Sequence, residues 1–364
     1  MVEVRLNVLD TGASVKELCR KTGVVHRPQG VDIAYEVYSL CEPQVELQAR
    51  AGDAPADASP ASTSGCNNVL MIMGFAAVGQ AWLPTLSDLF KRGDKVRNLQ
   101  VCVFDNRGIG RSTVPADKKA YTTTIMAQDA LGVMDQLGWA KAHVVGHSMG
   151  GMIAARLGCM APERVASLML VSVSGGGMEA FPVNWRALVA AFKGAGAGSD
   201  MTKRARADLL FHFTPKLIAH KDPATGRSVR DLLVDDYINT FKNYGMQTKA
   251  SQDGHLNAVM THHLSRADLQ KLREAGFPIM VVHGTDDILA VPRHAARLAR
   301  QLSAPLVMLD GAHFITRDCA PELNDELVAT IEAVRKGVKH VDAVQYGVDP
   351  RQYLVMCGCL PVCA

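Results

Sequence analysis

Ser148 lies in the one stretch of the chain built for nucleophilic chemistry, Val144-Val145-Gly146-His147-Ser148-Met149-Gly150-Gly151. The apolar run 142–145 reads as a short buried strand and residues 152–160 as a helix of small apolar residues, so a Gly-x-Ser-x-Gly pentapeptide falls between them. That is the context of a nucleophile elbow. A turn so tight leaves no room for side chains at Gly146 and Gly150, and it pushes the Ser148 hydroxyl out at its apex. The helix behind it aims free N–H groups and a positive dipole end at the same point, which suits a developing oxyanion. A serine hydroxyl is a weak nucleophile until a base takes its proton, and the imidazole that does so must be held in one tautomer.

Residues 101–112 together with 122–174 resemble the α/β-hydrolase family, and in particular its esterase, lactonase and lipase-like members carrying Gly-His-Ser-Met-Gly-Gly. The likeness covers most of 23–174 and 277–334, not the chain ends. It implies the order Ser, Asp, His, with acid and histidine on later strand-end loops. Val281-Val282-His283-Gly284-Thr285-Asp286-Asp287 supplies two acids just past a strand. The resemblance favours Asp287, three residues after the glycine, with Asp286 as the competitor. Among twelve histidines, His313 alone follows the strand after the acid, in Leu309-Asp310-Gly311-Ala312-His313-Phe314. His147 is read as support beside the serine. His255, His262 and His263 are read as surface residues, with pocket lining the alternative. For the oxyanion, the resemblance implies backbone N–H donors at Met149 and Phe75. The second comes from the loop Met73-Gly74-Phe75-Ala76-Ala77-Val78-Gly79, where methionine replaces a histidine that often braces the loop in the family. The stretch Asp105-Asn106-Arg107-Gly108-Ile109-Gly110-Arg111-Ser112 resembles a structural family loop near the site, in which Arg107 can tie down loop carbonyls and Asp105.

These residues need a scaffold of strands ending on one edge. Residues 23–38 alternate around Pro28-Gln29-Gly30 and predict a hairpin. The runs 69–73, 100–104, 142–145, 165–173, 278–283 and 305–309 read as strands buried on both faces. Helices are expected at 82–90, 122–137, 293–302 and 321–335, by the 3.6-residue spacing of their apolar positions. Repeated strand–loop–helix units argue an α/β fold: a mostly parallel central sheet with helices on both faces. The core is expected at 22–177 and 267–338, with an insertion rich in Ala, Pro, Ser, Gly and Asp at 50–68 read as a flexible surface segment. Between the two core parts, 178–266 shows helix candidates at 185–192, 203–210 and 229–243 and no convincing strand. The resemblance implies a helical cap there. Residues 1–21 are read as an N-terminal extension and 340–364 as a tail outside the fold.

Composition excludes several classes. The chain has 364 residues, 48% hydrophobic and 21% charged, as soluble globular proteins do, and its formal charge of +3 is too small to argue for nucleic acid or an anionic membrane. No signal peptide or spanning segment is visible. Nine scattered cysteines read as reduced thiols in a cytoplasmic compartment, with Cys102 and Cys159 inside core elements. His143 and His147 lie on a strand and turn, not one helix face, so they do not form a zinc pair. Gly194-x-Gly196-x-Gly198 lacks the preceding strand of a phosphate loop. Cys357, Cys359 and Cys363 lack a zinc partner pair, and Pro361 breaks a prenylation motif.

The expectation is a serine hydrolase needing no cofactor or metal, acting on a small-molecule carboxylic ester. A thioester, a lactone or a carbon–carbon bond next to a carbonyl suits the same machinery, and a non-catalytic receptor or scaffold is the alternative of another class. Ser148 at the apex disfavours an aspartate-nucleophile dehalogenase or epoxide hydrolase. Trp185 and Phe211, among the aromatic residues concentrated in 178–266, are expected to wall an apolar acyl pocket. Oligomeric state is not legible.

Overall fold

The computed structural model describes residues 6–40, 67–181 and 184–338. The first two strands, Cys19–Arg27 (β1) and Val31–Ser39 (β2), pair antiparallel. They fold back through Pro28-Gln29-Gly30, where Gln29 and Gly30 take φ of 67° and 70°. The strands Asn67–Ile72 (β3), Leu99–Phe104 (β4), Ala142–His147 (β5), Val165–Val171 (β6), Ile279–Gly284 (β7) and Leu306–Leu309 (β8) follow. Together they form an eight-stranded sheet in the order β1-β2-β4-β3-β5-β6-β7-β8, parallel from β4 to β8.

Period two along each strand builds two cores. Leu70 and Ile72 of β3, Val144 of β5 and Leu168 and Leu170 of β6 face one side of the sheet, while Val69, Met71, Val145, Met169 and Val171 face the other. The helices are Leu83–Phe90 (α1), Thr123–Gln136 (α2), Met149–Met160 (α3), Trp185–Ala195 (α4), Met201–His212 (α5), Pro215–Ala219 (α6), Val229–Tyr244 (α7), Lys249–Thr261 (α8), Arg266–Glu274 (α9), Pro292–Leu302 (α10), Ile315–Asp318 (α11) and Ala320–Arg335 (α12). Helices α2, α3, α9 and α10 cover the first face, and α1 and α12 the second. The architecture is the expected α/β one.

Strand order locates the site. The chain steps outward from β3 to β4, then crosses back over β3 to reach β5. Such a reversal opens a crevice beyond the strand ends, where open α/β sheets bind ligands. Ser148 follows the last residue of β5, at that reversal.

Three expectations change. Residues 6–18, read as an N-terminal extension outside the core, pack into it: Val8 and Val15 are buried in the second core, and Asp10 accepts from the Ser87 hydroxyl at 2.7 Å and Lys91 at 2.9 Å. Helices α6, α8 and α9 were not read from sequence. The buried stripe of α8 is Ser251, Gly254, His255, Ala258 and Val259, helical in spacing but too small and polar to register as an apolar face. Asn67 and Asn68, read as the end of the insertion at 50–68, are instead the first residues of β3, paired with β4; residues 50–66 and the tail at 340–364 lie outside the described residues. Within 178–266 the elements are helical, apart from one isolated bridge between Lys221 and Ser228. Helices α5 to α7 pack into the second core and α8 into the first.

Candidate active site

Ser148 takes φ 54° and ψ −121°, a combination that L-residues avoid and that persists only where surroundings over-determine it. The surroundings are backbone. A Cβ on Gly146 would run into the Gly150 carbonyl, and one on Gly150 into the Ile72 carbonyl of β3. Ser148 occupies the N-cap of α3 but makes no side-chain capping bond. By contrast Thr122, Asn184, Asp200, Thr214, Ser228, Thr248 and Ser265 each cap a helix with their side chains. A cap is worth about 1 kcal/mol. At α3 the cap is forgone and the hydroxyl is kept outside the helix, while Met149 occupies the first helical position, where the N–H has no partner inside the helix.

Replacing Gly150 by alanine tests how firmly the elbow is set. Helix propensity alone would favour alanine by about 1 kcal/mol. The clash with Ile72 is against backbone that cannot swing away, and overpacking of that kind costs about 1–3 kcal/mol. Gly150→Ala should therefore lower Tm by several degrees in a thermal melt; a rise would mean that β3 and α3 are less tightly apposed than described.

His313 is buried, and its Nδ1 lies 2.8 Å from Asp287 Oδ2. Asp287 is buried too, and its other oxygen accepts N–H bonds from Leu289 and Ala290, both 2.9 Å. Burial pushes the Asp287 carboxyl upward, but the charge and hydrogen bond of His313, with His283 and the Leu289 N–H, outweigh it and hold it below its ordinary range. Of the two acids left open by sequence, Asp287 meets the histidine. Asp286 forms a bidentate pair with Arg186 of α4, at 2.7 and 3.0 Å.

His147 joins the two halves. Its Nε2 donates to the His313 carbonyl at 2.9 Å, and the two rings lie 4.9 Å apart. Burial, then the neighbouring His313, pushes the His147 pKa down to about 3, so its ring is neutral near pH 7. The loop bearing His313 is thus pinned to the residue next to Ser148.

The loop after β3 lies against the elbow. A Cβ on Gly74 would stand 2.9 Å from the Ser148 Cβ. Asn106 Nδ2 donates to the Met73 carbonyl at 2.8 Å, bracing the loop from β4. Arg107 ties down a carbonyl, as expected, but its acid is Asp129 and not Asp105. Its partners are Asp129, at 2.7 and 2.8 Å, and the Ala120 carbonyl, at 2.7 Å. Asp105 is held instead by the Gly79 N–H at 2.8 Å and by Arg111. Two histidines read as surface residues are buried: His262 bonds the Thr123 hydroxyl at 3.0 Å, and His255 reaches the loop after β3. His263 is exposed. Trp185 faces solvent, 73% exposed, and Phe211 is half-buried. His143 bonds the Ser167 hydroxyl at 2.8 Å. Among the described residues no group of three or more His, Cys, Asp or Glu could hold a metal ion, and no helix is long and apolar enough to cross a membrane.

The family pattern described as alpha/beta hydrolase fold matches residues 67–316, which runs from β3 past the His313 loop. The chain belongs to the α/β-hydrolase family. It is an enzyme fold of that family, and relatives carry hydrolase names. A Caulobacter vibrioides protein named "Putative carbamate hydrolase RutD" is 39% identical over 104 residues, 29% of this chain and 36% of that protein, so this chain spans only about a third of that curated relative. A Mycobacterium tuberculosis protein named "Putative non-heme bromoperoxidase BpoC" is 28% identical over 225 residues, 62% of this chain and 77% of the relative. Among solved structures, the enol-lactonase of Burkholderia xenovorans LB400 superposes with a TM-score of 0.60 at 21% identity, covering 86% of this chain and 100% of that one. A thermophilic esterase from Thermogutta terrifontis gives 0.58 at 15%, covering 87% and 99%. At these identities the likeness to this α/β hydrolase is one of fold.

Proposed function

We propose that this α/β hydrolase is a serine hydrolase that cleaves carboxylic esters through an acyl-enzyme. The observation that carries the reading is the buried Asp287–His313 pair, whose loop His147 ties to the elbow beside Ser148. Asp287 fixes the proton on His313 Nδ1 and leaves Nε2 free to accept one. Ser148 Oγ then attacks the ester carbonyl as His313 takes its proton. The tetrahedral oxyanion is held by the Met149 and Phe75 N–H groups. His313 returns the proton to the departing alcohol, and the acyl group remains on Ser148. Water, deprotonated by the same imidazole, releases the acid and restores the hydroxyl.

The substrate side rests on what surrounds the base. Phe314 stacks on His212 of α5 at 4.4 Å and packs edge-on to His147 at 5.0 Å, so apolar surface continues from the site into residues 178–266. Structural neighbours named enol-lactonase, esterase and thioesterase domain all carry acyl-group names. We assign 178–266 as the cap that selects the acyl group and Phe211 as part of its wall. Trp185, on the outside, belongs to the cap surface.

The test is a series of p-nitrophenyl esters graded by acyl length, with Ser148→Ala as the blank. Each buried CH₂ contributes about 0.8 kcal/mol, so kcat/KM should rise by up to about 15-fold per two-carbon step until the pocket fills. Phe211→Ala should flatten the rise while Trp185→Ala leaves it intact. A preference for acetate over butyrate and hexanoate esters would overturn the apolar pocket. No turnover of any ester above the blank would overturn the function.

A further inference from the structure

The Phe75 N–H is the half of the oxyanion hole that the sequence leaves least supported, because Met73 stands where a bracing side chain would be expected. The structure supplies a brace from elsewhere. His255 of α8 is fully buried, 179 residues away in sequence from the loop it touches. Its Nε2 lies 2.8 Å from the Arg107 carbonyl, which can only accept, so Nε2 carries the proton. Its Nδ1 is then an acceptor, and it takes the Ala76 N–H at 3.2 Å and the Gln247 amide at 3.2 Å. The ring packs edge-on to Phe75 at 5.6 Å and to Tyr121 at 5.9 Å. Burial pushes its pKa down to about 4, so the neutral ring needed for this pattern persists near pH 7.

Ala76 is the second observation. It takes φ 59°, a left-handed conformation that alanine adopts only under constraint. The constraint is visible on both sides of Phe75. Gly74 is pressed against Ser148 with no space for a Cβ, and Ala76 is bonded to His255. The residues on either side of Phe75 are thus both held.

Resting on the serine hydrolase reading, we infer that His255 is a positioning residue that holds the Phe75 backbone donor over Ser148 from the cap side. It touches no reacting atom. Its effect is on the transition state, where the oxyanion has formed, and not on ground-state binding of the ester.

Two isosteric variants separate its nitrogens. In His255→Asn the side-chain oxygen falls where Nδ1 was, so the Ala76 bond is kept and the Arg107 bond lost. In His255→Gln the amide nitrogen falls where Nε2 was, so the Arg107 bond is kept and the Ala76 bond lost. Both are assayed with the best p-nitrophenyl ester and with a trifluoromethyl ketone of the same chain, which forms a tetrahedral adduct on Ser148. A lost oxyanion donor costs 10²–10³ in kcat, and a misplaced one less, so His255→Gln should lower kcat about 10- to 30-fold. KM should stay within about twofold, and the ketone should weaken by the same factor as kcat. His255→Asn should recover most of both. Equal losses in the two variants that track Tm would show mere packing and overturn the inference, as would wild-type kcat and ketone affinity in His255→Gln. Should His255→Gln not fold, His255→Asn decides alone: a loss of ketone affinity beyond about threefold overturns the inference. Failure of the wild type to turn over any ester or to label at Ser148 with a fluorophosphonate brings down the hydrolase reading itself, and with it this one.

Discussion

Ser148→Ala and His313→Ala are each expected to lower ester kcat by a factor on the order of 10⁶, and the double variant by little more. In the proposed mechanism the two side chains work as one nucleophile. Without His313 the Ser148 hydroxyl keeps its proton, and without Ser148 the imidazole has nothing to activate except water. What remains is the contribution of the oxyanion donors and of binding, which neither substitution removes. The folded state should tolerate both changes, since the strained backbone at Ser148 is set by the carbonyls facing Gly146 and Gly150. Burst and steady-state kinetics on one activated ester, with circular dichroism as the folding control, provide the measurement. Wild-type kcat in His313→Ala would remove that residue from the mechanism.

Asp287→Asn is expected to cost about 10⁴ in kcat, and the reason is directional. The Leu289 and Ala290 N–H groups both point at Asp287 Oδ1. In the asparagine the carbonyl oxygen has to remain there, because the amide nitrogen would meet two donors. The NH₂ group is then turned to His313 Nδ1, which must accept. The ring proton moves to Nε2, and the base can no longer take the serine proton. Asp286→Asn breaks only the pair with Arg186, a partly exposed bridge worth about 0–1 kcal/mol. Its kcat should stay within a few-fold of wild type. The opposite ranking would transfer the orienting role to Asp286.

The sheet and the elbow were legible because they rest on strong local signals. Continuous apolar runs marked β3 to β8, and the glycines around Ser148 are demanded by backbone contacts that exclude any Cβ. The acid was harder. Asp286 and Asp287 are adjacent in sequence and alike in type, and what separates them is which loop each one meets, a long-range fact. Arg107 shows the same limit: Asp105 was the nearer acid along the chain, yet Asp129 of α2 is the one the fold delivers. His255 was hidden for another reason. Its helix buries serine, glycine and alanine beside it, so no hydrophobic stripe betrayed an inward face. A histidine in the middle of such a stripe of small residues at 251, 254, 255, 258 and 259 is the signal that could have found it.

The bond from His255 to Ala76 does not act alone. The Phe314 N–H donates to the His212 carbonyl at 3.0 Å, and Arg186 grips Asp286. Helices α8, α5 and α4 are thereby each fastened to a different loop of the scaffold: the one after β3, the one bearing His313 and the one bearing Asp287. If 178–266 is the cap proposed above, such a segment looks like an exchangeable cassette. Here it is closer to a keystone. A foreign cassette would bring its own shape but not these three fasteners, and the loops after β3 and around His313 would lose the more buried contacts that set them, the partly exposed Arg186–Asp286 bridge counting least. If that cap selects the acyl group as proposed, altering specificity is a matter of changing residues inside the segment while its three points of attachment are left as they are.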